Sequence, residues 1–358
     1  MMPTLITLPA YRDGQNIIHS GVNPSNLFVH GQPFVINGTG FGTRTGYEDH
    51  INTSGIYDLA VNSNFAVVGR WDGSSYVGAS NRFQVVNEGY NGKCLKGTMP
   101  SGGSGNISLA FNYASAVPFG QKVYTSVYVK HISDAVIGGQ WKYSRWQKVT
   151  NSLSDKASEA FWNASVTGAD QKVQFRDYQG LGAASNLSGY GSGDITKMPH
   201  DKNKWVRMDM LFTLPATPSV GDTFKCEGWV HDPDGIALPQ YTNFTDNQAT
   251  EHLNSYGAYG DEWLQHLYQN YFGSGATGDY SSKNHTLWMD KCYENVGDAR
   301  WIELANNADI TLATKRFIQP ASAWSNTSAS ITSDIGNISG ARWLHVMVNN
   351  VSVYSESV

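Results

Sequence analysis

Two short segments of the chain place residues that could contact a ligand at alternate positions. The stretch "TFKCEGWVH" (223–231) sets Glu227, Trp229 and His231 on one face of a predicted strand. The stretch "KVQFRDYQ" (172–179) contains Arg176 and Tyr178. Recognition of a sugar requires flat aromatic rings against C–H groups and planar polar groups for the hydroxyls. These five residues have suitable types, although an ordinary solvent-exposed sheet face shows the same pattern. A second set of similar residues comprises Tyr128, Lys130, Trp146 and Arg207.

Hydrolysis of a glycosidic bond would require a pair of carboxylates, about 5–5.5 Å apart in a retaining enzyme. No Glu-x-Asp triplet occurs in the sequence, and Glu227 has no carboxylate two or four positions further along its strand. The acidic pairs Asp232–Asp234 and Asp261–Glu262 lie next to glycine or proline, where acidic residues usually support a turn. The sequence therefore argues against a hydrolase.

Lyase chemistry on an acidic polysaccharide is an alternative, and it would require a base and a cation near the substrate carboxylate. His231 with Arg176 or Lys225 could supply these groups. The Arg-x-Glu-Leu/Arg and Gln-Ile/Val-His signatures of alginate lyases are absent, and Asp209 in "VRMDML" stands where the first signature has Glu. We therefore expect a protein that binds without catalysing a reaction, with the lyase as the runner-up.

The sequence contains little that indicates metal binding, nucleic-acid binding or membrane insertion. The ten histidines form no His-x-x-x-His pair, no Cys-x-x-Cys occurs, and the three cysteines are expected to be buried thiols. We expect no cofactor; Ca²⁺ near Asp290 and Glu294 in "WMDKCYEN" is the alternative. A net charge of −5 predicts no nucleic-acid partner. No apolar run reaches the roughly 18 residues of a membrane span, so no membrane insertion is expected.

A glycine-rich stretch, "INGTGFGTR" (36–44), could be a phosphate-binding loop or a turn between strands. A dinucleotide-binding loop would be followed by a helix and an acidic residue about 20 residues later, and a P-loop would end in Gly-Lys-Ser/Thr. Neither sequel is present. We therefore predict that Gly38, Gly40 and Gly42 shape a turn and carry no chemistry.

Period-two alternation recurs along the chain and predicts antiparallel sheets with one buried face each. In "KVYTSVYVKH" (122–131) valines alternate with tyrosine, serine and lysine, and "VRMDMLFTL" (206–214) alternates in the same way. The fold class is therefore predicted to be all-β. One exception is 254–275, where Trp263, Leu267 and Tyr271 recur at helical spacing and predict a short helix or an aromatic loop.

The order of "NGKCLKG", "YTSVYVKH", "KWVRMDMLFTL", "GDTFKCEGWVHDPDG" and "HTLWMDKCYEN" resembles the concanavalin A-like lectin/glucanase jelly roll, in its heparin-lyase-like branch. "GQPFVINGTGFGTR" and the later "WSNTSASIT" and "ARWLHVMVNN" resemble an IPT/TIG immunoglobulin-like domain. The resemblances imply an antiparallel jelly-roll β-sandwich, 65–296, inserted in a smaller immunoglobulin-like β-sandwich. The latter would consist of 14–64 and 297–358, after an N-terminal arm, 1–13.

The combination resembles carbohydrate-contacting appendage and decoration proteins of bacteriophage virions. It implies a structural virion protein, present in many copies, whose partners are other virion proteins and glycans of the host cell surface. The concave jelly-roll sheet would then carry the ligand site. We expect a location on the virion surface after synthesis in the host cytoplasm and release by lysis, since residues 1–14 lack the features of a secretory signal. A purely structural assembly protein is the second alternative.

Overall fold

The structure is a computed structural model, and it describes thirteen segments of the chain. They are 28–50, 65–68, 84–99, 106–117, 120–133, 139–147, 156–164, 171–177, 204–213, 225–231, 242–246, 263–272 and 285–358. Within these residues the chain forms strands that all pair antiparallel, and a single 3₁₀ turn, Ile310–Leu312. The prediction of an all-β fold is confirmed. No helix in the described segments is long and apolar enough to cross a membrane.

An eight-stranded sheet forms the centre of the molecule. Its strands are β2 (Gly46–His50), β4 (Gln84–Gly89), β5 (Gly92–Met99), β7 (Lys122–Ser133), β11 (Val206–Thr213), β12 (Lys225–His231), β13 (Thr242–Asp246) and β15 (His285–Gly297). They follow the order β13-β12-β11-β7-β15-β5-β4, and β2 pairs with the far end of β15. Every residue of β11 from Val206 to Phe212 is buried, so this sheet is covered on both faces, where the sequence predicted one buried face.

A six-stranded sheet covers one face of the central sheet. It contains β3 (Phe65–Val68), β6 (Asn106–Val117), β8 (Gly139–Gln147), β9 (Lys156–Ala164), β10 (Gln171–Asp177) and β14 (Trp263–Phe272), in the order β10-β9-β8-β14-β6-β3. The two sheets are joined in the interior by His266 of β14, whose Nδ1 contacts the buried carboxylate of Glu294 on β15. Together they form the larger sandwich.

The predicted helix within 254–275 is wrong where the structure describes it, because Trp263–Phe272 is strand β14. This strand pairs with β6 on one side and β8 on the other. Its register shifts between Trp263 and Gln265 and again between Tyr268 and Tyr271. Such irregularities insert extra residues and break the period of two, so the aromatic residues mimicked helical spacing.

The other face of the central sheet is covered by a smaller sandwich. One of its sheets has the order β1-β19-β18 and the other β17-β16-β20-β21. Their bounds are β1 (Pro33–Asn37), β16 (Arg300–Ala305), β17 (Arg316–Gln319), β18 (Ala321–Trp324), β19 (Ser328–Thr332), β20 (Trp343–Val348) and β21 (Val351–Ser357). The two sheets share a core that includes Ile36, Phe41, Leu304, Ile331 and Val346. Because β1 pairs with β19, residues from both ends of the chain build this sandwich.

Two glycines face each other where the chain passes between the smaller sandwich and the central sheet. Gly46 of β2 lies opposite Gly297 of β15, with φ values of +80° and +137°. A Cβ on Gly46 would lie 1.8 Å from the carbonyl oxygen of Val296, and one on Gly297 would lie 1.9 Å from that of Thr45. The strand β2 belongs to the central sheet, although the sequence grouped 14–64 with the smaller sandwich. The domain boundaries and the IPT/TIG assignment stay predictions.

In the glycine-rich stretch 36–44, Ile36 and Asn37 end β1, and residues 38–44 form the predicted turn towards β2. Gly40 and Gly42 have φ values of +81° and +71°, which suit glycine. The backbone N–H of Phe41 donates to the carbonyl of Asn326 at 3.1 Å, and that of Gly42 donates to the Asn326 side chain at 3.0 Å. The guanidinium of Arg300 donates to the Phe41 carbonyl at 2.7 Å. The turn therefore closes one end of the smaller sandwich.

Candidate functional site

The outward face of the central sheet is divided into a covered part and an open part. The covered part lies beneath β16, β17 and the segment 310–318. There the ring of Tyr124 stacks on Trp301, with centroids 3.8 Å apart and an interplanar angle of 12°. The hydroxyl of Tyr128, further along the same strand, donates to the Arg316 carbonyl. These contacts remove the middle of the face from solvent.

Four charged side chains are buried between the central sheet and the smaller sandwich. Arg207 donates through Nε to Asp209 at 2.8 Å and through Nη1 to Glu303. Arg316 binds Glu303 in a bidentate manner, with both distances 2.6 Å. All four side chains are at most 2% exposed. Two positive and two negative charges thus balance where the two sandwiches join.

Two of the predicted ligand-binding residues lie in this interface. His231 is 1% exposed, and its Nε2 lies 2.8 Å from the carbonyl oxygen of Thr314. Burial, together with the charges of Arg316 and Arg207, lowers the pKa of His231 well below its usual value. Trp229 is half-buried and packs against the cluster around Tyr124 and Trp301. His231 therefore does not face solvent, because the smaller sandwich covers this part of the outward face that the alternation identified. Trp229 remains partly exposed, and its ligand-binding role stays a prediction.

The other predicted site residues are not brought together with these two. Glu227 lies on β12 opposite Leu211. Arg176 lies on β10, opposite Glu159, in the six-stranded sheet. The combination of His231 and Arg176 that a lyase would have used is thus divided between two sheets, and its histidine is buried. Tyr178 lies outside the described residues. The ligand-binding roles of Arg176, Tyr178 and Glu227 stay predictions.

The open part of the face carries a row of alternating lysines and tryptophans. The cross-strand register places Trp288 of β15 opposite Lys96 of β5 on one side and Lys130 of β7 on the other. Trp205, which precedes β11, follows beside Lys130 because Val206 pairs with Val129. We call Lys96, Trp288, Lys130 and Trp205 the Lys–Trp row. Of the second predicted set, Lys130 belongs to this row.

The lysine ammonium groups of the row are held over the indole rings. Lys130 Nζ lies 4.6 Å from the ring centroid of Trp288 and 5.2 Å from that of Trp205. Lys96 Nζ lies 4.9 Å from the Trp288 centroid. Trp288 is therefore only 6% exposed, whereas both lysines and Trp205 are half-buried. Ammonium groups are attracted to an indole face, so the rings position two positive charges at the surface.

One carboxylate, Glu88 at the end of β4, accompanies the row. It accepts hydrogen bonds from Lys96 Nζ at 3.0 Å and from Trp288 Nε1 at 2.7 Å. These two hydrogen bonds lower the pKa of Glu88, which is therefore ionised at neutral pH. Two positive charges against one negative charge leave the row with an excess positive charge.

Tyr90, in the turn between β4 and β5, links the row to the covered part of the face. Its ring stacks on Tyr128 at 4.7 Å and approaches the edge of Trp205 at 6.3 Å. On the side of the smaller sandwich it lies 5.7 Å from Phe317. The row is thus supported by a continuous set of aromatic contacts.

The sequence did not single out Lys96, Trp205 or Trp288. The row exists only because β5, β15, β7 and β11 are neighbours in the sheet, and these strands are separated by long stretches of chain. The available signal was the alternation of β7, which identified Lys130 as an outward residue. The pairing order of the strands was needed to find the rest.

The acidic residues considered for Ca²⁺ point to different sides of the central sheet. Asp290 faces the turn between β4 and β5, where its Oδ2 lies 3.3 Å from the amide of Asn91. Glu294 contacts His266 of the six-stranded sheet. Lys291, with φ of +53°, lies between them at a register shift. The described residues contain no group of three or more His, Cys, Asp or Glu side chains that could hold a metal ion.

Comparisons with known proteins return solved structures only. No protein-family model matches the sequence, and no curated protein matches it. An alginate lyase from Aplysia kurodai has a TM-score of 0.47 at 9% identity, over 71% of this chain and 99% of that one. Lectin II from Ulex europaeus has a TM-score of 0.40 at 7% identity, over 71% and 100%. The cellulose-induced protein Cip1 has a TM-score of 0.40 at 11% identity, over 70% and 96%. At TM-scores below 0.5, none of these similarities bears on what this chain binds or does.

Proposed function

We propose that the chain is a carbohydrate-binding structural protein and that its Lys–Trp row binds an acidic glycan without catalysis. The observation that supports the proposal is the direct cross-strand alternation of Lys96, Trp288, Lys130 and Trp205 on the open part of the sheet. Sugar rings present C–H faces to aromatic rings, and uronate carboxylates accept charge-assisted hydrogen bonds from ammonium groups.

The dimensions of the row suit a short oligosaccharide. Four neighbouring strands are separated by three gaps of about 4.8 Å, so the row spans about 14 Å. A bound carboxylate would draw Lys96 or Lys130 from the indole ring into an ion pair and expose the ring to the sugar. Each such surface ion pair contributes about 0.2–1 kcal/mol. A single row therefore binds weakly, and useful avidity requires several copies.

The proposed virion role would supply the several copies that weak binding at one row requires. In that role the smaller sandwich docks on the particle and the larger sandwich presents the row to glycans of the host cell surface. The particle supplies the multivalency that a single site lacks. The role predicts that the chain co-sediments with particles released when its host cell lyses. Its absence from such particles would contradict the virion role and leave the glycan-binding proposal intact.

The test of glycan binding is calorimetric titration with polyuronate oligosaccharides. Lys96→Met and Lys130→Met retain the aliphatic stem over Trp288 and remove the charge. We expect the double variant to bind about 2- to 30-fold more weakly, since it loses two ionic contacts of about 0.2–1 kcal/mol each. Lys122→Met is the matched control, because Lys122 lies at the other end of the same strand and bonds Asn349. Equal binding by the double variant and the control would contradict the proposal.

Glu88 provides a second test with the opposite sign. It competes with a ligand carboxylate for Lys96 and for Trp288 Nε1. Glu88→Gln removes this competition and raises the net charge of the row by one. We expect tighter binding of the polyuronate and a steeper loss of affinity with added salt. Weaker binding in this variant would show that the carboxylate itself contacts the ligand and that the assigned electrostatics are wrong.

The same titrations distinguish recognition from lyase activity. A lyase leaves unsaturated sugar ends, whose ultraviolet absorbance rises with time. Absorbance that stays constant while heat is exchanged supports recognition. Rising absorbance would contradict the binding proposal and indicate lyase activity. If the double lysine variant no longer showed this rise, the reaction would be placed at the row.

A further inference from the structure

A cleft of about 300 Å³ lies between the central sheet and the smaller sandwich. Its floor is formed by β15 around the register shift at Lys291, and its opposite wall by the passage from β17 to β18. It is separate from the Lys–Trp row, whose four residues do not line it. Ligand sites occur preferentially where two structural units meet, and pockets of small molecules begin at about this volume.

The charged groups of the cleft lie in ion pairs. Lys291 bonds the carboxylate of Asp334, with both side chains about nine-tenths buried. Glu48 is paired with Arg44, which lies just outside the lining, and accepts a further hydrogen bond from Tyr293. Each of the two carboxylates thus has a cationic partner, Arg44 for Glu48 and Lys291 for Asp334, and these pairs leave no excess charge. An ionic ligand would find no counter-charge here, whereas the Lys–Trp row offers a positive one.

Hydroxyl groups would find partners in this lining. The Asp334 carboxylate has about four acceptor positions, of which Lys291 and the amide of Gly336 use two. His30 Nδ1 also lies 3.6 Å from its Oδ1. The side chains of Ser322 and Thr332 are exposed at the mouth of the cleft. A sugar hydroxyl both donates and accepts, so it can bond a carboxylate and a neighbouring hydroxyl together.

The remaining wall is apolar. Phe317, Ile318, Pro320 and Ala321 form it, and Lys291 Nζ lies 5.9 Å from the Phe317 centroid. A ring with C–H groups on one side and hydroxyls on its rim is complementary to an apolar wall that faces paired polar groups.

We propose that this cleft is a second ligand site, which takes one neutral sugar unit or a polyol of that size. Its apolar ring face would lie on Pro320 and Ala321, and its hydroxyls would bond Asp334, Ser322 and Thr332. This site is independent of the proposed binding at the Lys–Trp row, because it uses different residues and a different ligand charge.

The test is a saturation-transfer NMR titration of the whole protein with D-glucose, D-galactose, D-mannose and D-galacturonate. We expect at least one of the three neutral sugars to bind with a dissociation constant of about 1–10 mM, an affinity usual for a ligand with few contacts. Ser322→Trp places an indole at the mouth of the cleft and is expected to weaken this binding about tenfold or more. Lys291→Met disrupts the pairing with Asp334 and is expected to weaken it as well.

Ala323→Trp is the matched control, since Ala323 is exposed on the same strand and does not line the cleft. Thermal unfolding of each variant shows that it is folded. Retained binding in Ala323→Trp and in the double lysine variant of the row supports the proposal. It is overturned if no neutral sugar binds the wild type, if D-galacturonate binds instead, or if Ser322→Trp and Ala323→Trp behave alike. A failure here leaves polyuronate binding at the row untouched, and the reverse also holds.

Discussion

Gly46→Ala should be among the most damaging single-methyl additions in the protein. The backbone of Gly46 has a φ of +80°, which costs an alanine about 1–2 kcal/mol. The new Cβ would also lie 1.8 Å from the oxygen of Val296 and 2.9 Å from the Cα of Gly297. Both neighbours are backbone, so β2 and β15 must separate. Overpacking of this kind costs about 1–3 kcal/mol more, and the sum is about 2–5 kcal/mol.

Gly340→Ala measures the conformational part of that cost alone, so its difference from Gly46→Ala gives the steric part. Gly340 has a φ of +85°, but no atom lies within 4 Å of its added Cβ. It should therefore lose only the conformational 1–2 kcal/mol. The assay is urea unfolding followed by tryptophan fluorescence, with the midpoints of wild type and both variants compared at constant slope. Equal losses in the two variants would refute the close backbone approach between β2 and β15.

Two further predictions concern buried ionisable groups. Glu303→Gln leaves Arg207 and Arg316 buried with one carboxylate fewer, and should lower the free energy of unfolding by about 3–5 kcal/mol. Glu88→Gln is the control in the same urea assay, and because that carboxylate is exposed it should lower the free energy of unfolding by less than about 1 kcal/mol. For His345, burial lowers the pKa to about 4, so the folded state binds fewer protons than the unfolded state below pH 6.5. The free energy of unfolding should therefore fall by about 2 kcal/mol between pH 7 and pH 5. If this free energy falls equally with pH in His345→Gln, the assignment to His345 is contradicted.

The local patterns were sufficient for several strands because period-two alternation is set by geometry. The segments 122–131, 206–214 and 223–231 alternate in sequence and correspond to β7, β11 and β12. The turn at Gly40 and Gly42 was predictable for a similar reason, since the positive φ there favours glycine. The strand β14 was not predictable in this way, because two register shifts disrupt its alternation.

The site was less predictable than the strands because alternation tells which residues share a face and not what covers that face. Trp229 and His231 do share the outward face with Lys130, as the register through β11 and β7 shows. The smaller sandwich buries His231 and packs against part of Trp229, whereas Lys130 lies over the two indole rings of the row. That difference is a matter of tertiary packing between segments far apart in the chain.

Charge balance separates the covered and open parts of this face. Where the smaller sandwich covers it, Arg207 and Arg316 are neutralised by Asp209 and Glu303, as the high cost of an unpaired buried charge requires. The open Lys–Trp row has two ammonium groups and one carboxylate, and its charges remain accessible to water. An interface must neutralise its own charges, whereas a surface that binds an ion retains an excess of the opposite sign. By this criterion the row suits the acidic ligand that we propose for it, whereas the buried His231 on β12 does not.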